Sequence, residues 1–318
     1  MTEKAKKLSQ NELREEITER IVEAMQRGLP PWREPYRRDP NSGFPTNVIS
    51  SKRYTGINTL LLTATAMERE YKSKWWGTYN QWHAMGAQVK KRPSSIREGE
   101  WGTKIVFYRK IEDDELDAKG DPKRYFFVLR SFTVFNVEQV EGDHLSMFRA
   151  GEECELEDRF LATLTYDHVD DMVEATKAKF DVGPEPKYLY PPADKILMPK
   201  KSLFVDLRNY YATKFHELIH WTEPRLGWPS KHQNLQGADL EAMGELIAEI
   251  GACYLETELQ IPHSEDMTNH HKYIQTWLHV LRGNHRRIFE ASHQATKAVD
   301  FLLAFSRPVT KKEDTDDE

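Results

Sequence analysis

Cysteine is nearly missing from this chain. Cys154 and Cys253 are the only two in 318 residues, and they lie far apart. They supply no disulfide framework, and such usage fits a reducing cytoplasm. Long apolar runs are absent too. Nothing approaches the roughly 20 consecutive residues that cross a bilayer as a helix. Residues 1–10 are polar and lysine-rich, unlike a secretory signal. A cytoplasmic protein with no membrane contact is expected. No internal repeat is visible, and no acidic cluster of the kind a primer-synthesising polymerase needs.

Positive charge is in deficit overall, with 45 Lys+Arg against 51 Asp+Glu, but the deficit is uneven. Residues 1–150 hold 26 basic and 21 acidic side chains, and the remainder holds 19 and 30. Five of the eight tryptophans, Trp32, Trp75, Trp76, Trp82 and Trp101, also fall in the first third. Cations mixed with aromatic rings make up a single-stranded nucleic-acid surface, where rings stack on bases and Lys or Arg follows the phosphates. The stacking candidates are Trp32, Tyr54, Trp75, Trp76, Tyr79 and Trp82. The phosphate candidates are Lys52, Arg53, Lys72, Lys74, Lys90, Lys91 and Arg92, and Asn58 is added as a polar contact. The bland reading of any one tryptophan is a core residue, and at least half of these rings are expected to be buried.

The most informative feature is His216-Glu217-Leu218-Ile219-His220. On a helix the two histidines stand one turn apart on one face and can share a metal ion, with Glu217 beside them to handle a proton. Zinc suits such donors, though another divalent transition metal would also fit; either lowers the pKa of water toward about 7. The chemistry implied is metal-assisted hydrolysis of an amide. The competing reading is an amphipathic helix with a satisfied histidine pair. Phe215, Leu218, Ile219 and Trp221 make an apolar setting in which an unmetallated pair gains little. Pro224 and Gly227 are expected to end the helix soon after His220.

A third ligand is required. A histidine six residues past His220 would complete a metzincin spacing, but that position is Leu226, and His232 lies in a Gly/Pro-containing loop. Glu245 and Glu249 stand at i and i+4 on an otherwise apolar helix with Leu246, Ile247, Ile250 and Ala252, which suggests a paired task. Spacing does not decide which of the two binds metal. The arrangement resembles the glutamate-ligand zincins, where the first acid of such a pair is the ligand and the second orients the first histidine. That resemblance implies Glu245 as ligand and Glu249 as the group holding the free ring nitrogen of His216.

Periodicity predicts helices over 12–26, 55–71 and 78–85, then strands over 88–90, 103–109, 125–129 and 132–137. Further helices are expected over 157–165, 170–180, 210–221, 244–252, 269–281 and 285–305. Short strands at 187–190 and Lys195–Met198 flank Pro191-Pro192, and the second is expected to offer its edge to an extended peptide along the metal cleft. The fold class is α+β in two domains. Residues 1–145 form an α+β single-stranded-DNA-binding domain and 146–306 a mainly helical peptidase domain with a small sheet; 307–318 is a disordered tail.

The ordered series of motifs resembles the ArdC-type plasmid antirestriction proteins. The matching residues in the first half are Pro31-Trp32, Asn47, Tyr54-Thr55-Gly56-Ile57-Asn58, Trp76, Thr78, Gln81, Gly86 and Val89. In the second half they are Ile196, Met198-Pro199, Tyr210–Thr213 running into His216–Trp221, Arg225-Leu226, Glu245–Glu249 and Trp277-Leu278. The resemblance implies an N-terminal single-stranded-DNA-binding domain joined to a C-terminal zincin-like metallopeptidase, carried by plasmids and used in conjugation. The basic run 90–97 is longer than the family pattern and reads either as added DNA surface or as a neutral insertion. A non-catalytic DNA protector with a structural metal is the alternative, and an intact Glu217 weighs against it. The N-terminal type also resembles a domain of plasmid-transfer primases, so DNA binding is expected to be shared there without the peptidase half. Tyr210, Tyr211, His270 and His271 are candidate oxyanion partners.

Overall fold

The computed structural model describes residues 9–306 except 29, 33–38, 113–124, 151–165, 205, 229–234 and 264–267. Helix α1 (Gln10–Gln26) starts at a capping box in which Glu12 N–H donates to Ser9 Oγ and Ser9 N–H to the Glu12 carboxylate. There follow β1 (Thr46–Asn47), α2 (Ile57–Glu68), β2 (Trp75–Thr78), α3 (Tyr79–Ala84) and β3 (Gln88–Val89). The long hairpin strands β4 (Thr103–Glu112) and β5 (Tyr125–Asn136) and short β6 (Val140–Glu141) complete this half. The sheet order is β1-β2-β5-β4, with β1 parallel to β2 and the other pairs antiparallel; β3 and β6 pair separately. Two strands were expected where β5 runs unbroken: the polar Arg130 and Ser131 interrupt the apolar pattern, yet they pair with Phe107 and Val106 of β4 in the same register as their neighbours.

The second half begins with α4 (Asp167–Thr176), then β7 (Lys179–Val182), β8 (Lys187–Leu189) and β9 (Lys195–Met198). Four long helices follow: α5 (Leu207–Leu226), α6 (Gly237–Glu258), α7 (Thr268–Gly283) and α8 (Arg287–Leu303). The expected helix over 170–180 is thus cut short, with its last residues forming β7. The expected helix over 157–165 and the tail from 307 lie outside the described residues. Sheet order β7-β9-β8 overturns another expectation: β9 is the central strand, parallel to β7 and antiparallel to β8, so the edges belong to β7 and β8.

Helix α5 runs past Pro224 and stops at Gly227, whose φ of 75° is a left-handed cap. Pro224 sits in the last turn, where it removes a single ladder hydrogen bond without halting the helix. Helices α5 and α6 pack closely because Gly251 has no side chain: a Cβ there would meet Ile219 at 2.8 Å. The apolar face of α1 (Leu13, Ile17, Ile21, Val22, Met25) and Trp32 belong to the same buried cluster as Leu218, Ile247 and Trp277. The two halves therefore meet across one apolar cluster, while Trp82 with Val137 and Trp76 with Ile105 belong to two further clusters within the N-terminal half. Trp32 meets Trp277 edge-on at 6.1 Å, and Thr18 Oγ1 donates to the His285 carbonyl at 2.9 Å.

Candidate functional site

Asp206 caps α5 by accepting from Asn209 N–H at 2.9 Å, and the register that follows places His216 and His220 one turn apart. Their Nε2 atoms lie 3.2 Å from each other. From α6, Glu245 Oε2 stands 3.3 Å from His216 Nε2 and Oε1 stands 3.4 Å from His220 Nε2. Donors at about 2.0–2.1 Å in a tetrahedral shell are roughly 3.3–3.4 Å apart. The three side chains are thus already spaced to hold a divalent cation.

His220 is fixed in one orientation by a residue the sequence reading did not name. Its Nδ1–H donates to Glu223 Oε1 at 2.6 Å, which turns Nε2 toward Glu245 and His216. Glu223 is buried, and its other oxygen accepts from the Tyr190 hydroxyl. Burial opposes a charged His220, but Glu223 and Glu245 outweigh it and push the imidazole up to about 10. For Glu245, burial acts upward, yet the two histidines hold its carboxyl far below the ordinary range. A cation at this point competes with the same proton. Burial, then Glu223, raises the Tyr190 hydroxyl, so it stays a donor.

Glu217 is buried beside the pair on the wall of a cleft of about 700 Å³ that Tyr190, Thr213, Trp228 and Tyr273 also line. Lys187 and Tyr188 of the edge strand β8 border the same cleft. Glu249 lies one turn beyond Glu245, buried, and outside the trio of converging donor atoms. Of the oxyanion candidates, Tyr211 is turned away, its hydroxyl donating to Asp170 at 2.7 Å, and Tyr210 packs edge-on against Phe204. Neither lines the cleft, whereas Tyr190 and Tyr273 do. The side chains of His270 and His271, like His232, lie outside the described residues.

The nucleic-acid candidates divide sharply. Trp32, Trp76 and Trp82 are at most 2% exposed, and a ring in the core has no face to offer a base. Tyr54 is buried and shares a hydrogen bond with Asn47. Asn58 accepts from Val106 N–H at 2.9 Å and donates to its carbonyl at 2.8 Å, satisfying a peptide group on the edge strand β4. Arg53 is bound by Glu258 and Asp300, which neutralise it. Lys90 donates to the Glu138 carbonyl, and Lys74 lies over the half-buried Trp75 ring. Lys52, Lys91, Arg92 and Tyr79 remain on the surface; Lys72 is half-buried.

An open cleft in which a histidine pair on one helix meets a glutamate from the next defines a zincin-like metal centre. Residues 167–294 match the family described as zincin-like metallopeptidase, and residues 11–135 match the N-terminal domain of anti-restriction factor ArdC. The chain belongs to the ArdC antirestriction family. Crystal structures of the antirestriction protein ArdC from plasmid R388, metal-free and Mn(II)-bound, are 32% identical to it, with TM-scores of 0.70 and 0.71. They cover 92% and 93% of this chain, and 97% and 99% of theirs. An uncharacterized protein, y4eC, of Sinorhizobium fredii is 32% identical over 91% of both chains. Two Escherichia coli proteins named DNA primase TraC are 34% and 32% identical over 95% and 92% of this chain, which spans only 28% and 20% of their lengths. The likeness to the primases therefore extends across both halves and is not confined to the N-terminal one. Among the described residues, no helix is long and apolar enough to cross a membrane.

Proposed function

We propose that this protein is an antirestriction-type metallopeptidase that grips single-stranded DNA with its N-terminal half. The observation that carries the peptidase reading is the tetrahedral spacing of the His216, His220 and Glu245 donor atoms beside Glu217 in an open cleft. Two imidazoles and a carboxylate favour zinc, and Mn(II) in the R388 relative supports a divalent ion. Such an ion supplies Lewis acidity toward a carbonyl and acidifies water. The chain's own groups do the rest. Glu217 accepts the proton of the attacking water and returns it to the leaving amine. Glu223 holds the His220 ring, and Tyr190 braces Glu223. An extended peptide pairs with the free edge of β8 through main-chain hydrogen bonds, which places a peptide bond beside Glu217.

Glu217→Gln is the test. Metal content measured by mass spectrometry stays near that of the wild type, while cleavage of a denatured protein substrate falls on the order of 100-fold or more. Unchanged cleavage would remove Glu217 from the chemistry. If Glu217→Gln also protects incoming DNA from restriction as well as wild type does, antirestriction rests on DNA binding alone. The DNA reading rests on the basic, aromatic N-terminal half and its match to the ArdC N-terminal domain. Binding without base specificity weakens as salt rises.

A further inference from the structure

With most of the tryptophans in the core, the rings that meet a base must come from elsewhere. An opening of about 1010 Å³ lies between the N-terminal half and α8, away from the metal centre. Asn47, Tyr54, Asn58, Thr78 and Gln81, five residues of the sequence motif, all line it. Its floor is one face of the β4–β5 hairpin, where Ile105 pairs with Phe132 and Phe107 with Arg130. Phe107 and Phe132 are 46% and 47% exposed and meet edge-on at 5.7 Å. Ile49, 54% exposed, stands on the rim. An apolar patch of this kind, bordered by polar groups, marks a binding surface.

We propose that this groove seats the single strand, with bases stacked on Phe107 and Phe132 and phosphates following Lys52 and Arg130. The proposal rests on the single-strand reading above and says where that strand lies. Three observations select the occupant. Lys52 and Arg130 form no ion pair with any described residue, so their charge is available to an anionic backbone. Asn58 occupies the Val106 peptide group of the β4 edge, which blocks an added peptide strand at that register. A duplex keeps its bases stacked on one another and offers no free faces to the phenylalanines, whereas a single strand does. The far wall is formed by Phe289, Glu290, His293 and Thr296 of α8, the Glu290 carboxylate being paired with Arg287 at 2.8 Å, so a bound strand touches both halves of the chain.

The experiment titrates full-length protein against a fluorescein-labelled oligo(dT), with a duplex of equal length as comparator, and follows anisotropy. Phe107→Ala/Phe132→Ala is expected to weaken single-strand binding on the order of tenfold or more, and Lys91→Ala/Arg92→Ala, on the basic loop outside the groove, much less. Thermal melting confirms that the variants fold, as half-exposed rings allow. Wild-type protein is also photo-crosslinked to a 5-iodouracil strand, and the attached peptide is expected to contain Phe107 or Phe132. Tight binding by a folded double variant, or crosslinks confined to the basic loop, overturns the groove while leaving the single-strand reading intact. Equal binding of duplex and single strand, equally lost in the variant, overturns the stacking assignment. Failure of the wild type to bind any single strand removes both.

Discussion

At the scale of single residues, the metal centre was legible wherever a short motif dictates geometry. Helical spacing puts His216 and His220 one turn apart beside Glu217, whereas spacing left Glu245 and Glu249 equal and only the resemblance to the glutamate-ligand zincins preferred Glu245. Glu223 escaped because Pro224 made its segment read as the end of the helix. An acid three residues after a histidine, one turn along the same face, was the available signal. Four of the six stacking candidates, Trp32, Tyr54, Trp76 and Trp82, are buried, in line with the expectation of at least half; which four was not legible, because a tryptophan reads identically whether it fills a core or faces a base, and only tertiary packing separates the two. Glu223 yields a test of the centre. Glu223→Ala removes the acceptor that fixes the His220 ring and leaves Tyr190 without its partner. Affinity for Zn(II), measured by competition with a chromophoric chelator, is expected to fall about 10–100-fold. Undiminished affinity would mean that packing alone orients His220.

At the scale of elements, the question is what holds two helices so that their donor atoms converge. Sequence periodicity found both helices but not their distance, which Gly251 sets against Ile219. Gly251→Val forces the helices apart or the Ile219 side chain out of its rotamer. A cost of about 1–3 kcal/mol in chemical denaturation follows from overpacking, together with weaker metal binding because Glu245 rides on the displaced helix. Retained metal affinity beside lost stability would show that the contact serves packing only. Behind α5, Asp170 of α4 accepts from Tyr211 and from the buried Lys214, at 2.7 and 3.0 Å. Burial pushes the Asp170 carboxyl up, but these donors outweigh it and hold its pKa below the ordinary value. A lowered carboxylate pKa stabilises the fold fully above about pH 4, and that contribution disappears as pH falls through the folded value. Asp170→Asn is therefore expected to melt below wild type at pH 7, with the gap closing on acidification past pH ~4. A gap that persists into that acid range would assign the effect to shape instead of charge. Sheet order was likewise invisible to pattern: β9 reads as a plausible edge in sequence, but it pairs with both neighbours, and of the two edge strands β8 is the one that borders the cleft.

At the scale of the whole molecule, composition suggested two bodies, a basic one and an acidic one, with a border near residue 145. Charge does reflect the two family matches, which divide between residues 135 and 167. It does not reflect the one apolar cluster that crosses between the halves. Helix α1 and Trp32 bury their apolar faces against α7, Arg53 is held by Glu258 and Asp300, and Gly56 N–H donates to Thr296 Oγ1 at 3.1 Å. The ends of α6 and α8 thus grip the loop that forms the rim of the groove, and α6 carries Glu245. A fragment ending near residue 150 would expose the α1 face and Trp32 to water. Each large apolar side chain so exposed forfeits about 1.5–3 kcal/mol, and the whole chain is held by a net stability of only about 5–15 kcal/mol. The fragment is expected to melt without a cooperative transition or to aggregate. The intact chain should lose its metal site and its DNA binding in a single denaturant transition, followed by a metal-sensitive probe and by anisotropy of a bound oligonucleotide. Two separated transitions would show that the shared core does not couple the halves. Coincident ones would mean that any mutation loosening α1 against α7 weakens DNA binding and metal retention together, although it touches neither site.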